Sequence, residues 1–163
     1  MKRLQIPVVL IILFFTSTCY AANQGPLINA FGETATAYLN DSFLLLGATA
    51  DGFVSDVIPG DTAMEITKNV QRRIRIIRAK IKMIDSPSMS LLDKKLLKLL
   101  DDAFLCMDHQ AWALMRYIKD KLPENAKKFE SYRSDCLERI RKLADFYSEF
   151  PAPPELPAPL STR

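Results

Sequence analysis

Prolines divide this chain at nearly regular intervals. After Pro7 they occur at positions 26, 59, 87 and 123, and a cluster begins at 151, which leaves stretches of 32, 27, 35 and 27 residues between positions 26 and 151. A proline fits the first turn of a helix but breaks a helix interior. The spacing therefore predicts four helices joined by short connections. With only 5 glycines among 163 residues, the chain also lacks the turn residues that an all-β sandwich needs.

Within each stretch, apolar residues recur at the spacing of three to four that is typical of a helix. No stretch alternates between polar and apolar residues as a half-buried strand does. We therefore expect an all-α fold, an antiparallel up-and-down four-helix bundle over residues 22–150. Its helices are predicted at about 27–57, 62–85, 88–121 and 123–149.

Two predicted helices carry recognisable start signals. Thr62 and Glu65 form a capping-box pattern at the start of the second helix. Ser86 or Ser90 can cap the third helix, and the sequence leaves both open.

The N-terminus has the composition of a secretory signal peptide. Lys2 and Arg3 precede the apolar run 6–15, and small and polar residues follow up to Ala21. An uncleaved anchor is the alternative, but ten residues at about 1.5 Å each cover only half of a hydrocarbon core of about 30 Å. Lipid modification of Cys19 is a second alternative. We predict a signal peptide at 1–21, cleaved after Ala21.

The predicted location is therefore outside the cytoplasm, in the periplasm or secreted, and the compact signal favours a bacterial source. Asn40 begins an Asn-Asp-Ser acceptor, which matters only in a eukaryotic secretory pathway. At the other end, residues 151–163 are rich in proline and are expected to form a flexible, extended tail.

Composition argues against several functions. Without Lys2 and Arg3, 20 bases face 19 acids, and a net charge of +1 does not suit a nucleic-acid binder. His109 is the only histidine, and no phosphate loop, nucleophile elbow or zinc spacing occurs. We expect no enzymatic activity, no cofactor and no metal, and no transmembrane span after cleavage.

Two cysteines remain after signal cleavage, and an exported chain with such a pair is a candidate for one disulfide. Cys106 lies 17 residues before Pro123 and Cys136 lies 13 residues after it. In a helical hairpin that turns near Pro123, the two side chains reach nearly the same height. We predict a Cys106–Cys136 disulfide.

The outer face of the third helix carries an unusual tryptophan. Leu105 and Trp112 are seven residues apart, opposite the apolar seam, and are flanked by Phe104 and Met115. An exposed aromatic residue of this kind favours a partner surface. The alternative is that a neighbouring helix covers this face.

The second helix is strongly basic. Seven bases lie between Lys68 and Lys82 with no acid among them. Four of them form a ridge opposite the isoleucine stripe: Lys68, Arg72, Arg75 and Lys82. Such a ridge can bind phosphates, an anionic surface or an acidic partner. The alternative is neutralisation within the chain by the acidic first helix.

Gln110 falls on the apolar seam of the third helix, and a buried amide requires hydrogen-bond partners. From these features we expect an exported binding module that uses the aromatic face and the basic ridge to contact an unidentified protein or a second copy. One alternative is a carrier of a small hydrophobic ligand held between the helices near Gln110. A further alternative is an adaptor to an anionic membrane or envelope surface.

Overall fold

The computed structural model of the chain describes residues 24–84 and 86–149, and this part is all-helical, without strands. Four helices follow one another: α1 Gln24–Val54, α2 Gly60–Ile84, α3 Leu91–Asp120 and α4 Pro123–Glu149. The predicted all-α class and the number of helices are confirmed. The predicted signal peptide 1–21 and tail 151–163 lie outside the described residues.

A tight reversal ends α1 earlier than the predicted residue 57. Backbone N–H groups of Val57 and Ile58 both donate to the carbonyl oxygen of Gly52, at 2.8 and 2.9 Å. Asp56 adopts a left-handed conformation with φ 55°. The reversal lays Ile58 over Gly52, where an added Cβ would meet the Ile58 side chain at 2.6 Å. Alanine at position 52 would therefore require the Ile58 side chain to move.

Local hydrogen bonds also fix the starts of α2 and α3. The N–H of Ala63 donates to the carbonyl oxygen of Pro59 at 2.9 Å, so α2 begins two residues before the expected Thr62. For α3, Ser90 is the N-cap, and its hydroxyl accepts from the N–H of Asp93 at 3.1 Å. Of the two serines that the sequence left open, the structure selects Ser90.

Asp120 organises the turn between α3 and α4. Its carboxylate accepts the N–H of Leu122 at 3.1 Å and the side-chain amide of the buried Asn125 at 2.9 Å. Lys121 is left-handed, with φ 53°, and its N–H donates to the carbonyl oxygen of Tyr117. One carboxylate thus joins the end of α3 to the first turn of α4.

The third helix is the centre of the fold. α3 packs against all three other helices, α1 also contacts α2 and α4, and within the described chain α2 does not contact α4. More than half of the largest fully buried apolar side chains belong to α3: Leu96, Leu100, Phe104, Met107 and Leu114. A helix with neighbours on three sides buries a wide arc of its surface, and only a narrow strip of α3 remains outside.

A disulfide-distance pair links α3 to α4. The sulfur atoms of Cys106 and Cys136 lie at bonding distance, and their Cα atoms are 5.5 Å apart. The pairing predicted from the sequence is confirmed. In the chain-entropy description, closing a loop across the 30-residue separation stabilises the fold by about 3–4 kcal/mol.

Candidate interaction surface

The exposed strip of α3 carries the tryptophan that the sequence singled out. Trp112 is 45% exposed, and Leu105 and Met115 are partly exposed near it. The guanidinium carbon of Arg116 lies 5.8 Å from the centre of the Trp112 ring, within the range of a cation–π contact. We call these four residues, Leu105, Trp112, Met115 and Arg116, the Trp112 strip.

Phe104 does not belong to this surface, and its assignment to an exposed face was wrong. The side chain has no exposed area, and its ring stacks on Tyr38 of α1 with centroids 6.5 Å apart. The alternative of a covering helix therefore holds for Phe104 alone. The cause is the central position of α3, whose buried arc extends further round the helix than one apolar seam indicates.

Neighbouring helices fix both edges of the Trp112 strip. On the α2 side, Nε of Arg75 donates to Oδ1 of Asp108 at 3.0 Å. On the α4 side, the ring of His109 lies 5.5 Å from the ring of Tyr132. At 100° per residue, Trp112 points between Asp108 and His109, so the indole stands in the middle of the strip.

All four residues of the predicted basic ridge are exposed: Lys68, Arg72, Arg75 and Lys82. Arg75 remains 60% exposed at its side chain although it pairs with Asp108. Arg72 donates to Oδ1 of Asn69 at 3.2 Å, which is a neutral partner. Most of the positive charge of the ridge therefore faces solvent.

The acids that pair with α2 lie on α3, and this corrects the expected neutralisation by the first helix. Besides the Arg75 pair, Nε of Arg78 donates to Oδ1 of Asp101 at 2.8 Å. The one acid of α1 that forms an ion pair within the described residues is Asp51, which contacts Arg133 of α4 at 3.8 Å. Glu33 and Asp41 of α1 thus remain available at the surface.

The two ion pairs between α2 and α3 show which residues of the ridge lie level with the Trp112 strip. Arg78 pairs with Asp101 and Arg75 with Asp108, so residue numbers fall along α2 as they rise along α3. Continued by one to two turns, this register brings Lys68 and Arg72 level with Trp112. A shallow groove of about 440 Å³ runs along α2 beside this region and includes Lys68, Arg72 and Arg75 in its lining.

Arg116 was missed by the sequence reasoning. The signal was present, because a basic residue four positions after a tryptophan on a helix lies one turn away on the same face. Near Trp112, the strip and ridge together expose one aromatic ring among four cations, Lys68, Arg72, Arg75 and Arg116, while Lys82 lies further along α2.

Gln110 has no exposed surface, and neither its Nε2 nor its Oε1 has a hydrogen-bond partner within the described residues. The described grooves of about 300 to 460 Å³ open at the surface and are lined by other residues. Gln110 is therefore a buried amide outside the lining of the described grooves.

No protein family, curated protein or solved structure matches this chain. Among residues 24–84 and 86–149, no helix is long and apolar enough to cross a membrane. The same residues contain no group of three or more histidine, cysteine, aspartate or glutamate side chains that could hold a metal ion.

Proposed function

We propose that this protein is an exported, non-enzymatic binding module that recognises an acidic segment of a partner protein. The observation that supports this most directly is the exposure of Trp112 beside Arg116, level with Lys68 and Arg72. Aromatic and arginine side chains contribute most of the binding energy at many interfaces. Cations around such an anchor attract carboxylates and orient the partner.

The pattern of charge favours a protein partner over an anionic membrane or polymer surface. Asp101 and Asp108 pair with arginines of α2, and Asp102 lies partly buried on α3 near them. A peptide can place its acids opposite Lys68 and Arg72 and leave these ion pairs undisturbed, whereas a flat anionic surface cannot choose among the charges it meets. The crosslinking experiment described below distinguishes a protein partner from an anionic surface.

The proposal includes the antiparallel up-and-down arrangement of the four helices. The ion pairs between α2 and α3 support it, because residue numbers fall along α2 as they rise along α3. The tight turn at Asp120 between α3 and α4 also supports it. The Cys106–Cys136 pair suits an oxidising compartment, which agrees with removal of residues 1–21 and export. The tail 151–163 is proposed to be extended and flexible.

Trp112 is the single tryptophan of the chain and provides the test. A photo-crosslinking amino acid at position 105 should capture the partner in the native compartment, whereas the same group at exposed position 127 on α4 should not. The captured protein, once identified, is then titrated against purified mature chain. Binding should shift the Trp112 emission to shorter wavelength and protect it from acrylamide.

Two variants establish which side chains carry the binding. Trp112→Ala should weaken it by about tenfold or more, while Leu122→Ala, at a residue of matching 44% exposure, should not. The double variant Lys68→Glu, Arg72→Glu should weaken it and reduce its salt dependence. Crosslinks exclusively to lipid or envelope polymer would instead support the surface adaptor. Equal capture from positions 105 and 127 would contradict both.

A carrier function is the second candidate, and the unpartnered amide of Gln110 favours it, because a polar group of a bound molecule would satisfy that amide. Native mass spectrometry of the mature protein without reductant tests it. Excess mass that is lost on denaturation and is absent from Gln110→Leu would support the carrier. A bare protein of chain mass would contradict it.

A further inference from the structure

A second surface, formed by α1 and α2 side by side, separates charge by sign. On α1 the exposed side chains include Asp41 and no base, since α1 contains neither lysine nor arginine. On α2 they include Arg73 and Lys80. Within the described residues neither Asp41 nor Arg73 has an ion-pair partner within 4 Å, and neither faces the Trp112 strip. α1 therefore contributes acids and no base to this face, whereas α2 contributes bases from Lys68 onward and has its exposed acids, Asp61 and Glu65, nearer its start.

The same face exposes large apolar side chains. Leu44 is 67% exposed on α1, and Leu45 beside it is 44% exposed. On α2, Ile76 and Met83 are 51% and 84% exposed. With 100° per residue, Leu45 lies beside Asp41 on the side of α1 that faces α2, whereas Leu44 and Met83 lie on the outer sides of their helices. Ile76 also lines the groove along the basic ridge. Apolar groups clustered between charges are typical of an interaction surface.

A groove of about 460 Å³ runs between the two helices at the middle of this face. Tyr38 and Leu45 of α1 and Ile66 and Val70 of α2 give it an apolar lining, and Asp41 and Arg73 also line it. Residues 38–45 of α1 meet residues 66–73 of α2 across the groove, so Leu44 lies at the same height as Ile66. The groove can accept an apolar side chain of this size.

We propose that a second copy of this chain docks on the α1–α2 face. A two-fold axis parallel to the helices places α1 of each copy against α2 of the other, so that the acids of α1 meet the bases of α2. A rotation about this axis does not change the position of a residue along the helix direction. Asp41 therefore faces Arg73 of the partner subunit, and the grooves of the two copies, each lined by Leu45, face each other.

Charge determines this orientation. A two-fold axis could also lie in the plane of the α1–α2 face but perpendicular to the helices. That axis would place α1 against α1 and α2 against α2, which brings like charges together across the contact. The face complements itself only with the axis parallel to the helices, and by symmetry the Asp41–Arg73 contact forms twice in each dimer. This surface is separate from the Trp112 strip, so the inference does not depend on the proposed function.

Sedimentation velocity of the mature, disulfide-containing chain over a range of concentrations tests the proposal. We expect a reversible dimer. Asp41→Arg and Arg73→Asp should each raise the dimer dissociation constant by about tenfold or more, because each substitution places like charges together at two sites. The double variant Asp41→Arg, Arg73→Asp should return it to near the wild-type value. Lys127→Asp, on exposed α4, is the matched control.

Leu44→Lys provides an independent arm. It replaces an exposed apolar side chain of the docked face with a charged one and leaves the core intact, so it should also weaken dimerisation while helicity is unchanged. A chain that stays monomeric at its highest soluble concentration overturns the proposal. The proposal is also overturned if the single charge variants weaken the dimer and the double variant does not restore it. Loss of the dimer in Trp112→Ala would overturn it as well.

Discussion

The hydroxyl of Tyr147 occupies the space where a side chain on Gly32 would begin. A Cβ atom at Gly32 would approach the Tyr147 oxygen to 2.6 Å and Cδ2 of Leu96 to 2.9 Å. Glycine therefore permits α1, α3 and α4 to meet at one point. The Tyr147 oxygen is itself buried and forms no hydrogen bond within the described residues. The nearby Thr36 hydroxyl donates to the carbonyl oxygen of Gly32 at 2.8 Å.

Gly32→Ala should destabilise the fold by about 1 kcal/mol, because overpacking costs about 1–3 kcal/mol and the higher helix propensity of alanine offsets about 1. Adding Tyr147→Phe should recover part of the loss, since it removes the closest atom. Urea unfolding of the single and double variants measures both effects. If Gly32→Ala were more stable than wild type, the close approach would not constrain the packing.

Gln110→Leu should raise the free energy of unfolding by about 1–3 kcal/mol, because it replaces a buried amide that has no hydrogen-bond partner with an apolar side chain of similar volume. Gln71→Leu is the matched control. Its Nε2 donates to the carbonyl oxygen of Asp108 at 3.4 Å, so the same substitution should bring no comparable gain. Loss of stability in Gln110→Leu would mean that the amide has a bound partner, such as an ordered water.

Breaking the link between Cys106 and Cys136 should lower the stability of the mature chain by about 3–4 kcal/mol. Thermal unfolding with and without reductant measures the loss. The double variant Cys106→Ser, Cys136→Ser should match the reduced wild type and should not respond to reductant. A response of the variant to reductant would exclude this pair as the cause.

Asp120 should make stability depend on pH in the acid range. Hydrogen bonds from the N–H of Leu122 and then from the Asn125 side chain lower the pKa of its carboxyl group. Its contribution is therefore complete above the unfolded pKa of about 3.9 and is lost as the pH falls through the lower folded pKa. Asp120→Ala should be less stable than wild type at neutral pH, and the difference should shrink in strong acid.

The control for this effect is Ser148→Ala, which leaves the turn intact. Its free energy of unfolding should differ from that of wild type by the same amount at every pH. A constant difference between Asp120→Ala and wild type from neutral pH to strong acid would show that the carboxyl group does not titrate in this range.

The helices were predictable from sequence because proline positions and apolar periodicity act locally. Helix ends were less predictable. α1 ends at Val54 because the carbonyl oxygen of Gly52 accepts two N–H groups from the following turn, and the sequence pattern of α1 does not indicate this contact. The Cys106–Cys136 pairing followed from the position of Pro123, since a hairpin fixes which residues lie at equal height.

The surface was harder to predict, because periodicity gives the direction of a side chain and not the number of helices around it. Phe104 is covered by Tyr38 since α3 has three neighbours, and that number depends on the arrangement of the whole chain. The acids that meet α2 were likewise expected on the first helix. Segment charges do not show which helix faces which, and the pairing of Arg78 with Asp101 could be found only in three dimensions.

The Cys106–Cys136 link has a consequence for a chain exposed to proteases. The exposed turn at Lys121 and Leu122 lies between the two cysteines. A cut there would separate the backbone into two parts, yet the sulfur bridge would hold them as one molecule with α3 and α4 still side by side. Cleavage at this turn would therefore remain silent until the bridge is reduced, and the nicked protein would keep the Trp112 strip assembled.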